Sequence, residues 1–152
     1  MKINIELVEE FHRVFNHEIA PVPTIPDAAT VDFRCNFIEE ELQELREAVA
    51  NNDIVNLADA LGDIQYVLDG FFLNCGMHNK KEAIMEAIHK SNMSKACISE
   101  AQALNTIQSL KNRNVEAYFE KVGDLFIVKR TSDGKVMKSI GYAAPKLVSL
   151  FY

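Results

Sequence analysis

Between Val31 and Val49 the apolar residues Val31, Cys35, Ile38, Leu42, Leu45 and Val49 step by 4, 3, 4, 3 and 4, a repeat that lays one stripe along an α-helix. No other feature constrains the chain as much. A long amphipathic helix of this kind is held by what covers its stripe more than by propensity, and the following segment is suited to cover it. Asn51-Asn52-Asp53 offers a turn and an N-cap, Ile54 to Leu73 is apolar on nearly every side, and Gly76 suits a left-handed stop. The helix over 54–73 is therefore expected to be the buried one. Leu7, Val8, Phe11, Val14 and Phe15 predict an earlier helix, and Ala20 to Asp27, with three of the four prolines, predicts an extended connection. A fourth helix is expected from about Lys81 to Lys95, with Ile84, Ala87, Ile88 and Ser91 facing inward, and Ser99-Glu100-Ala101-Gln102 reads as a capping box opening another short one.

The texture changes at Val115. Val115 to Val122, Leu125 to Thr131 and Lys135 to Ile140 favour strand and are separated by Gly123-Asp124 and Ser132-Asp133-Gly134, so a three-stranded antiparallel meander is expected, with a short helix from Pro145 through Leu150. The fold class predicted is mainly α, with a four-helix-bundle-like core over 1–97. The accessory helix, small β meander and short C-terminal helix occupy 98–152.

Composition then excludes partners. Lys and Arg number 16 against 22 Asp and Glu, a net charge of -6, so a general affinity for nucleic-acid polymers is not expected. No apolar run reaches the roughly 20 residues that span a bilayer. The opening Met1-Lys2-Ile3-Asn4-Ile5-Glu6 lacks the order of a signal peptide. A cytoplasmic location without membrane attachment is expected. Cys35, Cys75 and Cys97 have neither disulfide-framework nor zinc spacing and read as reduced thiols in or near a core. His12, His17, His78 and His89 likewise show no metal-ligand spacing and read as surface or capping groups. Phe11, Phe15, Phe33 and Tyr66 could line a pocket for a nucleobase, although aromatic residues at helical spacing are first expected in a core.

The chemistry lies in the carboxylates. On the second helix Glu40 and Glu41 both stand beside Glu44, because residues three and four apart share a face. On the third, Asp59 and Asp63 share a face of a helix otherwise fit for burial, where unpaired charge is costly unless a partner or metal neutralises it. Five carboxylates without His or Cys suit a hard cation such as Mg²⁺, with Mn²⁺ as a substitute, and hence phosphate-ester or anhydride chemistry. A solvated glutamate face is the plainer reading of Glu39 to Glu44 alone. Near the end of the fourth helix, Lys90, Asn92 and Lys95 offer an amide and ammonium groups to phosphate oxygens, or else simply complement the helix dipole.

These residues resemble the all-α nucleoside triphosphate pyrophosphohydrolases, the MazG-like group that includes phosphoribosyl-ATP pyrophosphohydrolase and the dimeric dUTPases. The pattern of that group is E-E-x-x-E followed one helix later by E-x-x-D. Glu40-Glu41-Leu42-Gln43-Glu44 matches the first half and Asp63 the final aspartate, but the second glutamate falls on Ala60, or on Asn56 in the register ending at Asp59. Whether Asp59, Asp63 or both bind metal is left open by that departure. The resemblance spans roughly residues 1 to 97 and takes in Lys90 to Lys95. It implies hydrolysis of an NTP or dNTP to monophosphate and pyrophosphate with Mg²⁺, in a homodimer. Glu40, Glu41, Glu44, Asp59 and Asp63 would hold the metal, Glu41 would serve as the base, and Lys90, Asn92 and Lys95 would bind phosphate. Two alternatives stand beside it: the phosphoribosyl-ATP pyrophosphohydrolase of histidine biosynthesis, and a non-catalytic helical dimerisation module whose acids face water.

Overall fold

The structure is a computed structural model and describes residues 4–152. In chain order it contains α1 (Asn4–Val14), α2 (Ala28–Ala50), α3 (Ile54–Asn74), α4 (Lys81–Met93), α5 (Glu100–Lys111), β1 (Ala117–Val122) and β2 (Leu125–Arg130). Single 3₁₀ turns lie at His78–Lys80 and Val148–Leu150. The mainly helical class with a small antiparallel sheet near the C-terminus follows as expected. Among the described residues no helix is long and apolar enough to cross a membrane.

Contacts divide the chain into two compact units, Met1–Lys81 and Glu82–Tyr152. The division falls at the start of α4, whereas the sequence suggested one after residue 97. The physical reason is hydrogen bonding between the end of α4 and the C-terminal segment. Ser94 Oγ accepts from Ala143 N at 2.9 Å, Ser139 Oγ donates to the Ser94 carbonyl at 2.9 Å, and Ser91 Oγ donates to Tyr142 Oη at 3.2 Å.

In the first unit, α1 and α2 both pack on α3. Asp27 caps α2 by accepting from Thr30 N at 2.7 Å, and Asp53 caps α3 by accepting from Val55 N and Asn56 N. Asn52, with φ of 52°, makes the left-handed step between the two helices. The proline segment is non-helical, as its prolines require, but it bends at Pro21 and Val22 instead of running fully extended. It is tied to the end of α3 by Ala20 N donating to the Leu73 carbonyl at 3.0 Å and Thr24 N to the Cys75 carbonyl at 2.9 Å. Gly76, at φ of 63°, is required there twice over, since a Cβ would also sit 2.1 Å from the Val22 carbonyl oxygen.

Two expectations for the first unit need correction. α3 is not buried all round: Ile54 and Val55 are 73% and 74% exposed, and Leu61 and Leu68 are also open, because α1 and α2 cover only part of its circumference. Up to Val67 the covered side runs through Leu57, Ala60, Ile64 and Val67, by threes and fours, whereas from Asp69 to Asn74 every residue is at least half-buried. The stripe of α2 is also displaced. Val31, Ile38 and Leu45 stay covered, but Cys35, Leu42 and Val49 are exposed, and Arg34, Phe37, Glu41 and Ala48 complete the inward side. Two polar residues therefore occupy the covered face, which a search for apolar periodicity does not detect.

In the second unit α5 packs on both strands around Cys97, Ala103, Leu110 and Val128. The cap forms in a shifted version of the box: Ser99 Oγ accepts from Gln102 N at 3.2 Å, and Gln102 Oε1 accepts from Ile98 N, one residue before the N-cap, at 2.8 Å. The sheet has two strands, paired from Ala117 with Arg130 to Val122 with Leu125, in place of the expected three. The segment 135–140 makes one bridge, Lys129 with Val136, before it is drawn away. Ser139 Oγ bonds the Ser94 carbonyl, and Ile140 N donates to Thr106 Oγ1 at 3.1 Å. That bridge and the reciprocal pair between Cys97 and Phe126 together occupy the outer edge of β2. The final helix is reduced to the one turn at Val148–Leu150, too short a segment to repay helix nucleation.

Candidate functional site

Glu41 occupies the covered face of α2, seven residues and so about two turns beyond Arg34. Its Oε2 is buried with no hydrogen-bond partner. Burial pushes its carboxyl above the usual range, and the nearby charges of Asp63, Glu44, Glu40 and Asp59, in falling order, push it further. The structure thus brings the other four predicted acids within electrostatic reach of Glu41, with Asp63 its strongest carboxylate neighbour. Asp59 and Asp63 are exposed, however, so the burial from which a metal was inferred at those two positions is absent. The buried aspartate of α3 is Asp69, paired with Lys81 and receiving Gln65 Nε2 at 3.0 Å.

An orphaned buried oxygen among carboxylates only is a donor set suited to a hard cation. Among the described residues no three His, Cys, Asp or Glu side chains form a ready-made cage. Glu40 and Glu44 are exposed and so have rotamers free to turn toward a cation. The residues present therefore fit a divalent ion held partly by water and substrate, as Mg²⁺ prefers.

Beside Glu41 and Asp63 opens a cavity of about 270 Å³. Its walls are Val8, Phe11, His12 and His17 from α1 and the turn after it, Phe33, Arg34 and Phe37 from α2, and Tyr66 and Val67 from α3. Phe11 meets Tyr66 edge-on with centroids 5.7 Å apart, and Phe33 meets Phe37 edge-on at 4.6 Å. Phe11, Phe33 and Tyr66, expected first as core, are partly exposed and line this cavity. Phe15 lies tilted beside Phe11, centroids 4.4 Å apart, without lining it.

The sequence reading missed the polar network behind this cavity. Arg34 Nε donates to Asn74 Oδ1 at 2.6 Å, and Arg34 Nη2 lies 3.0 Å from His12 Nε2. Guanidinium only donates, so Nε2 is the acceptor and His12 carries its proton on Nδ1, which donates to the Glu18 carbonyl at 3.0 Å. Asn74 Nδ2 donates to the same carbonyl at 2.9 Å. Burial, then the Arg34 charge, outweighs the Glu18 hydrogen bond and holds His12 below its ordinary value of 6.5. His12 is thus a buried network member and not the surface or capping group expected. The available signal was Arg34 at three residues after Val31 and four before Ile38.

Lys90, Asn92 and Lys95 lie in the second unit. Lys90 pairs with Glu86 at 2.7 Å, and Lys95 Nζ donates to Asn92 Oδ1 at 2.7 Å. Lys90 also lines a cavity of about 430 Å³ with Ser91, Pro145 and Lys146.

Residues 8–92, more than half of the chain, match the family described as phosphoribosyl-ATP pyrophosphohydrolase. The chain belongs to this family. The match takes in α2 and α3 whole, and so all five acids, and ends on Asn92 within α4. A relative titled "Uncharacterized protein L479", from Acanthamoeba polyphaga mimivirus, is 34% identical over 94 residues, covering 57% of this chain and 36% of that protein. The chain thus matches just over a third of that relative's length.

Proposed function

We propose that the protein hydrolyses the α–β phosphoanhydride of an NTP or dNTP, releasing the monophosphate and pyrophosphate. The observation that carries the reading is the buried, unpartnered Glu41 Oε2 amid four further carboxylates, beside a ring-lined cavity. Glu40, Glu41, Glu44, Asp59 and Asp63 would hold Mg²⁺ or Mn²⁺. When bound, the ion neutralises phosphate charge and lowers the pKa of water.

The chain's own groups do the rest. Glu41, with an unpartnered oxygen beside the cavity, is the group placed to accept a proton. Glu41 takes the proton as the water oxygen bonds to the α-phosphorus and the bond to the bridging oxygen breaks. The aromatic walls hold the base and exclude solvent. The resemblance would assign phosphate binding to Lys90, Asn92 and Lys95, whose present partners are Glu86 and one another. Ile54, Val55 and Leu61, apolar and exposed on α3, support a homodimer that covers them.

The test is Mg²⁺-dependent product release from a panel of NTPs and dNTPs, scored for pyrophosphate against orthophosphate, with Glu41→Gln and Asp63→Asn alongside. Pyrophosphate lost in both variants supports the reading, and no turnover with no Mg²⁺ effect on melting overturns it. The family's own description favours phosphoribosyl-ATP as a second substrate. Including it in the panel decides between the two. Light scattering across a dilution series tests the dimer.

A further inference from the structure

We propose that Arg34 reads the keto edge of a nucleobase seated in the aromatic cavity, so that the protein prefers hypoxanthine, guanine and uracil nucleotides over adenine and cytosine ones. The inference rests on the nucleotide reading above and goes on to name the substrate class.

Arg34 is 8% exposed, lines the cavity, and has no carboxylate partner among the described residues. A buried cation with only neutral partners is costly unless a polarised or anionic group completes its surroundings. Its known bonds, to Asn74 Oδ1 and His12 Nε2, use two of its five N–H groups. The acceptors behind it are consumed: those two atoms serve Arg34, and the Glu18 carbonyl serves His12 and Asn74. What this network can still present to an occupant is N–H donors.

The walls identify the occupant as a ring. Phe11, Phe33, Phe37 and Tyr66 surround the space with aromatic surface, which suits a flat base and not a phosphate. The spacing agrees, since Arg34 lies seven residues before Glu41 on one helix, about 10 Å along its axis, room for a sugar between base and reacting phosphate. Position 6 of hypoxanthine and guanine and position 4 of uracil carry an oxygen that accepts from guanidinium. Adenine and cytosine carry an amino group there, and a donor facing a donor leaves both unmet. Gly70 makes room for the arrangement, because a Cβ there would stand 2.6 Å from Arg34 Nη1.

The experiment is calorimetric binding of α,β-methylene triphosphates to the full chain with Mg²⁺, in two pairs: inosine against adenosine and uridine against cytidine. Within each pair the keto member is expected to bind about tenfold more tightly or better. Arg34→Lys, which keeps the charge and loses the fork, and Gly70→Ala, which displaces the guanidinium, should both bring the ratios toward one. Equal or reversed affinities within the pairs, or no binding of any analogue, overturn the proposal with wild-type protein alone. So does an Arg34→Lys loss that is equal for all four analogues and for inorganic triphosphate, which would assign Arg34 to phosphate. Keto-selective binding without turnover of cleavable nucleotides would leave this inference standing and sink the hydrolase reading; turnover without selectivity would do the reverse.

Discussion

The first unit buries His12, Arg34, Asp69 and Asn74, whereas the second closes around Cys97, Ala103, Leu110 and Val128 with only the hydroxyls of Ser91, Thr106 and Ser139 as buried polar groups. Both solutions satisfy hydrogen bonding, but at different electrostatic cost. A buried hydroxyl needs one or two neutral bonds, as Thr106 makes to the Gln102 carbonyl. A buried guanidinium or carboxylate loses far more hydration, and replacing such groups by apolar ones is often neutral or stabilising. The first unit is therefore organised around groups that folding alone does not favour, and the candidate site borders them. The second unit is organised as an ordinary apolar core.

The comparison can be broken most sharply at Glu41. Glu41→Gln should lower hydrolysis by about a thousandfold while raising the melting temperature of metal-free protein at neutral pH, since four repelling neighbours lose their target. A fall in melting temperature would make Glu41 structural and erase the distinction. Next comes the Asp69 pair. Lys81→Met leaves the fully buried Asp69 with Gln65 alone and should cost about 3 kcal/mol in urea unfolding, with Asp69→Leu in the same chain recovering most of it. In the second unit Val128→Ala should cost about 2 kcal/mol, as methyl groups leave a fully buried site, with no partner mutation able to restore it by removing charge.

The smallest effects are in pH, and they have opposite signs within one cavity. His12 titrates lower folded than unfolded, so the stability it confers is complete above its ordinary 6.5 and is lost as pH falls through the folded value. Glu41 titrates higher folded than unfolded, so the folded protein takes up that proton first and gains stability as pH falls toward the ordinary 4.5. Urea midpoints of metal-free protein against pH should show the acid-side loss flattened in His12→Asn and the gain absent in Glu41→Gln. Parallel curves for both variants and wild type would overturn the assignment.

Much of this was legible beforehand, and for local reasons. Caps at Asp53 and Ser99, the left-handed Gly76 and the proline connection depend on backbone geometry within a few residues, and all stand where their residue types put them. Glu40, Glu41 and Glu44 share a helix face by spacing alone. The inward stripe of α2 was misplaced because hydrophobicity marks what can be buried, not what is: Leu42 and Val49 stay exposed while Arg34 and Glu41 turn inward. The third strand was lost to hydrogen bonds from Ser139 and Ile140 to residues far away in sequence, and the last helix shrank to one turn because its segment is too short to repay nucleation.

By itself, then, the sequence determined the five longer helices, the caps at Asp53 and Ser99, and that acids gather on two consecutive helices, since each of these depends on neighbours within a turn or two. Only the tertiary structure decided which acid is the focus, which aspartate is buried, and that Arg34, His12 and Asn74 meet. Those outcomes depend on packing between α1, α2 and α3, where residues 22 and 40 positions apart come within hydrogen-bond distance and the loss of water fixes the worth of every charge.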